Sequence, residues 1–73
     1  MFVNVNKLKG KLVERGMSIA DLAEKMGINV ATLYRKLGNG GLGLSVKDAN
    51  LIVDILSLSL QDAMEIFFAQ KVA

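Results

Sequence analysis

Arg35 carries the most discriminating chemistry in the sequence. Its guanidinium can donate two parallel hydrogen bonds, a geometry that matches O6 and N7 of guanine and is worth ~1–3 kcal/mol of discrimination against other bases. Val30, Ala31 and Tyr34 precede it at spacings that share one helical face. Val30 and Ala31 cannot hydrogen-bond through their side chains, but they can meet thymine methyl groups. Tyr34 offers a hydroxyl to a phosphate and a ring to a sugar. A protein contact would use Val30 and Tyr34 equally well, and a solvent-exposed helix is the plainest alternative. Acid–base chemistry has no comparable candidate. The chain has no histidine and no cysteine, which removes the usual general base, the commonest metal ligand and any thiolate site. No pair of acids falls in a recognisable catalytic arrangement. The chain is therefore read as a non-enzyme without metal, cofactor or small-molecule ligand.

These side chains must be held by the stretch SIADLAEKMGINVATLYRKL, residues 18–37. Ser18-Ile-Ala-Asp21, Ser45-Val-Lys-Asp48 and Ser59-Leu-Gln-Asp62 repeat one Ser-x-x-Asp device. In each, the hydroxyl can accept from the amide three residues on, and the acid lies in the positive first turn of a helix. Asn29 and Asn6 can cap two further helices. The five starts predict helices over about 6–15, 19–26, 30–37, 46–56 and 60–70. Their predicted inward faces are Leu8 and Leu12; Ile19, Leu22, Ala23 and Met26; Leu33 and Leu37; Val46, Ala49, Ile52, Val53 and Leu56; and Ala63, Met64 and Phe67. Gly27 supplies the left-handed residue that ends the second helix, with Ile28 folding back as the apolar partner of that cap. Ala23 permits close approach where the second and third helices cross. Two short helices at so tight a corner, the second outermost, are the order of a helix-turn-helix.

Two segments are not clean helix. MFVNV alternates and reads as an extended arm, a short strand or a frayed terminus. GNGGLGL, residues 38–44, holds four glycines in seven positions and is predicted to be a mobile loop. Gly38, Gly40 and Gly43 satisfy the spacing of a dinucleotide fingerprint, but no strand precedes them and no βαβ unit surrounds them.

With 73 residues, 52% hydrophobic and 22% charged, one globular domain over residues 1–73 is the expected organisation. A chain this short is marginal without well-made helices or self-association. No stretch reaches ~18 consecutive apolar residues, the N-terminus lacks a secretory apolar region, and a cytoplasmic protein without membrane contact is expected. The net charge is only +2, but residues 1–40 carry seven basic against three acidic side chains and residues 41–73 two against four. A half at +4 and a half at −2 suit a polyanion on one side, although ordinary solvated charge would look the same.

The stretch SIADLAEKMGINVATLYRKL resembles the helix-turn-helix of the Cro and lambda-repressor class, and LKGKLVERGMS with DILSLSLQDAMEIFF resembles the flanks of small Cro-like phage regulators. The resemblance implies an all-α, five-helix bundle that binds double-stranded operator DNA. It implies base contacts for Val30, Ala31 and Arg35, and backbone contacts for Ser18, Asn29, Tyr34, Lys36, Asn39 and Lys47. Two positions depart from the family pattern: Ile19 stands where glutamine is common, and Lys36 where an apolar residue is common. The expected function is a Cro-like repressor on a palindromic operator. The alternative is a protein-interaction module that keeps the fold without DNA binding, favoured by apolar Ile19, Val30 and Ala31.

Ile66, Phe67 and Phe68 are consecutive, and at about 100° per residue one face cannot bury all three. Ile66 and Phe68 are accordingly expected at a homodimer interface; the alternative is a last helix wrapped deeply into the bundle.

Overall fold

Serine hydroxyls begin three of the helices as their spacing predicts. Ser18 and Ser45 accept from the amides of Asp21 and Asp48 at 3.0 Å each, and those carboxylates accept in return from the serine amides at 2.9 and 3.0 Å. Ser59 accepts from the Asp62 amide at 3.1 Å, but the return bond is missing because the Asp62 carboxylate is turned to Lys11. The computed structural model describes residues 2–68, which form α1 (Val5–Glu14), α2 (Ile19–Met26), α3 (Val30–Gly41), α4 (Val46–Leu56) and α5 (Leu60–Phe67). The fold is all-α and five-helical, and no strand occurs among the described residues. The last two positions of the expected 60–70 helix lie outside them.

The first helix starts one residue earlier than expected, and its cap is Asn4, whose side chain accepts from the Lys7 amide at 3.1 Å. Asn6 falls inside the first turn, exposed, and cannot cap. The corner after α2 forms as anticipated. Gly27 is left-handed at φ 75°, and the amides of Gly27 and Ile28 return to the Glu24 and Ala23 carbonyls at 3.0 Å each, which satisfies two of the orphan acceptors of the helix end.

α2 packs on α3 and α4, and α1 packs on α3 and α5. Their shared core comprises Leu8, Leu12, Leu22, Ala23, Leu33, Leu37, Ala49, Ile52, Leu56, Ala63, Ile66 and Phe67, joined by Val3, Leu44 and Leu58 from the connections. No polar or charged residue is buried with them among the described residues. Two inward assignments are corrected. Val46 is exposed, because it is the first residue of α4 and Leu44, just upstream, fills the core beneath that end. Met64 is exposed because Ala63, Ile66 and Phe67, at i, i+3 and i+4, set the buried stripe of α5 and turn it outward.

The glycine segment is a packed turn, not a free loop. α3 is regular only to residue 37; Gly38 is extended, and Asn39 and Gly40 are left-handed. The Val3 amide donates to the Gly40 carbonyl at 2.9 Å, and the Asn4 amide donates to Ile66 at 2.7 Å. Residues 2–4 are therefore an extended arm fixed at both edges. Gly41 sits against that arm: at φ 78°, a Cβ there would lie 2.5 Å from the Val3 Cβ. At Gly27 the surrounding space is open. Gly41→Ala combines left-handed strain with a clash and should destabilise by about 2–4 kcal/mol, while Gly27→Ala carries the backbone term alone, about 1 kcal/mol. Urea denaturation of the two variants side by side checks the ordering; equal losses would mean that Val3 yields freely.

Candidate nucleic-acid interface

Two leucines hold α3 to the bundle. Leu33 is fully buried and Leu37 nearly so, one turn apart on the side facing α2. The opposite side is left to solvent: Val30, Ala31, Tyr34 and Arg35 are all exposed, Tyr34 by 58%. No hydrogen bond or ion pair to another described residue engages the Arg35 guanidinium, so its donors are open to solvent. The rod that begins at Val30 is thus anchored along one edge and presented along the other. Asn29 fixes its start by accepting from the Ala31 amide at 2.8 Å; the amide hydrogens of the Asn29 side chain stay available.

The remaining candidate residues divide into three situations. Ser18 is exposed, but its oxygen and its amide are both occupied by Asp21, which leaves the hydroxyl proton as its donor. Asn39 and Lys47 are exposed, in the turn after α3 and in the first turn of α4. Lys36 is different: its ammonium meets the Asp48 carboxylate at 3.0 Å and its side chain is only 29% exposed. Asp48 is the residue that reading the sequence missed here, because it was assigned only a capping role. The signal was present in the lysine standing at a position where the family pattern is apolar.

The basic excess of the first forty residues is also partly internal. Lys7 pairs with Glu65 and, at 3.8 Å, with Asp62; Lys11 pairs with Asp62 at 3.0 Å and Glu14 at 2.9 Å. These lysines clasp α1 to α5. Lys9, Arg15, Lys25, Arg35 and Lys47 form no ion pair with another described residue; Arg15 donates from Nε to the Leu56 carbonyl at 2.9 Å, and the other four are the cations most available to a polyanion. Ile66 is corrected as an interface residue: it is fully buried, so its side chain cannot meet a partner. Phe68 is exposed by 58%, with Met64 and Leu60 exposed four and eight residues before it in sequence.

No three acidic, histidine or cysteine side chains among the described residues are placed to hold a metal ion. Among those residues, no helix is long and apolar enough to cross a membrane.

A short helix, a glycine corner and a second helix presented outward define a helix-turn-helix. The model of the Cro/C1-type HTH DNA-binding domain matches residues 7–68. The chain belongs to that family, and DNA is its class of partner. No curated protein and no solved structure matches the chain.

The ion pairs set the acid response. The Lys11 ammonium holds the Asp62 carboxyl below its ordinary value, Lys7 does the same for Glu65, and the Ser18 amide does so for Asp21. Burial by itself pushes Asp48 up, but the Ser45 amide and Lys36 outweigh it and the net direction is down. Depressed carboxyls stabilise the fold above their unfolded values, and that stability is lost as pH falls through the folded ones. Glu14 and then Asp62 raise Lys11, whose contribution is complete below its unfolded value and disappears only as strong alkali removes its proton. The melting temperature should therefore hold level from about pH 6 to 9 and fall progressively below about pH 4. Thermal melts across that range test this; a midpoint unchanged down to about pH 2 would remove the ion pairs from the stability of the fold.

Proposed function

We propose that the chain, acting as one domain over residues 1–73, is a Cro-like repressor that occupies a palindromic operator as a homodimer. The observation that carries this reading is the outward face of α3, where Arg35 has no partner inside the described fold and Val30, Ala31 and Tyr34 flank it. On this reading Arg35 reads a guanine, Val30 and Ala31 meet thymine methyls, and Tyr34, Ser18, Asn29, Asn39 and Lys47 follow the backbone. The exposure of Asn39, in the turn after α3, and of Lys47, in the first turn of α4, supports their backbone role. Occupying the operator excludes other proteins from it, which needs no catalytic group.

Self-association is supported by α5. Leu60, Met64 and Phe68 recur every four residues, all more than half exposed. The acids beside them, Asp62 and Glu65, are already paired with Lys11 and Lys7, which reduces repulsion between two copies of the same helix. A two-fold axis would set two copies of α3 ~34–36 Å apart, one turn of DNA.

Selection of bound sequences from a random DNA pool tests the whole reading: a palindromic consensus is expected, and a consensus without symmetry counts against the dimer. With the selected site, four neutralised phosphates would make affinity fall about a hundredfold between ~50 and ~200 mM salt. An apolar protein-interaction module would not respond in this way. Arg35→Ala should relax preference at one base pair per half-site by ~1–3 kcal/mol; a uniform loss over all site variants would make Arg35 a phosphate contact instead. Phe68→Asp should give monomers in sedimentation while the helical circular dichroism is retained. An unchanged sedimenting mass would place the dimer contact elsewhere.

A further inference from the structure

We infer that Lys36 and Asp48 are a positioning pair that sets the turn after α3 against that helix, so that Lys36 acts on DNA affinity through Asp48 and not by touching phosphate. This rests on the DNA-binding reading of α3. Regular helix ends at residue 37 and the chain reverses through Gly38, Asn39 and Gly40. The reversal lays Gly43 on the Lys36 backbone so closely that a Cβ at Gly43 would stand 2.9 Å from the Lys36 Cα. Lys36 then reaches Asp48 at 3.0 Å, and the same carboxylate oxygen accepts from the Ser45 amide at 3.0 Å. The last turn of α3 and the cap of α4, the two sides of the turn, therefore converge on one oxygen. Asn39 and Lys47 lie inside or beside the loop that this contact closes. A lysine drawn 12 residues along the chain into such a contact, and only 29% exposed, has its charge directed inward.

The pair makes opposite predictions from a phosphate contact. If Lys36 touched phosphate, D48N would release it and remove a negative charge from the DNA side, so affinity would hold or rise. If the pair positions the turn, D48N weakens binding about tenfold, K36Q weakens it to a similar degree, and the double variant is no worse than either single one. D48N keeps a carbonyl able to accept from the Ser45 amide, so the cap survives in part. S45A removes the cap hydroxyl but spares the pair, and should lower the melting temperature while leaving affinity within about threefold. The measurement is fluorescence anisotropy on the selected operator, at several salt concentrations, with all variants held well below their melting temperatures. K36Q should leave the slope of log affinity against log salt unchanged, whereas loss of a phosphate contact lowers it by about 0.9. A D48N variant that binds as tightly as the parent, a K36Q slope lower by that amount, or an S45A loss as large as that of D48N would each overturn the inference. Failure of the parent protein to bind any DNA would instead overturn the reading on which the inference rests.

Discussion

The corner at Gly27 is the constraint on which the rest of the structure depends. α3 must give up one face to the core and keep the other free, and only two leucines, Leu33 and Leu37, hold it down. Two anchors one turn apart fix the rotation of a helix about its axis but not the angle at which it leaves its neighbour. That angle is set by the left-handed Gly27, by the two backbone bonds that close α2, and by Ala23, whose small side chain is fully enclosed at the crossing. The Asn29 cap then starts α3 without delay. Rigidity at this point is what lets a row of side chains as plain as valine, alanine and tyrosine act as a surface of defined shape.

Charge is allocated with a similar division. A sum over the first forty residues suggests a basic half-molecule. The structure assigns Lys7 and Lys11 to the clasp between α1 and α5, and Lys36 to the start of α4. Exposed ion pairs add little stability individually, but these also determine which cations are left to face a polyanion. The smaller set of unpaired cations, with Arg35 among them, limits the sequence-independent attraction that the chain can offer a polyanion.

Local features were legible in the sequence and distant ones were not. The Ser18 and Ser45 caps, the Gly27 turn and the limits of α2 and α4 follow from groups three to five residues apart, and they appear as read. The third cap forms only in half, because Asp62 is claimed by Lys11, far back in the chain, and no local pattern contains that competition. On α5 the run of three large apolar residues showed that not all could be buried, and Phe67 lies inward and Phe68 outward as read, but Ile66 is placed inward only by the packing of the folded chain. The glycine segment misled in the same way. Its composition signals freedom, whereas a buried Val3 side chain and the Lys36 backbone press on it from two sides. The outward face of α3 was legible, since it follows from which two leucines point inward.

The arm of residues 2–4 joins the turn after α3, through Gly40, to the end of α5, through Ile66. The two attachments are made by consecutive residues, Val3 and Asn4, so the arm ties the two segments side by side. A passenger fused ahead of Phe2, or a tether used to immobilise the protein, would load both attachments at once and pull on the turn after α3 and the end of α5 together. A reporter or purification handle in that position is therefore mechanically part of the molecule, not a neutral appendage.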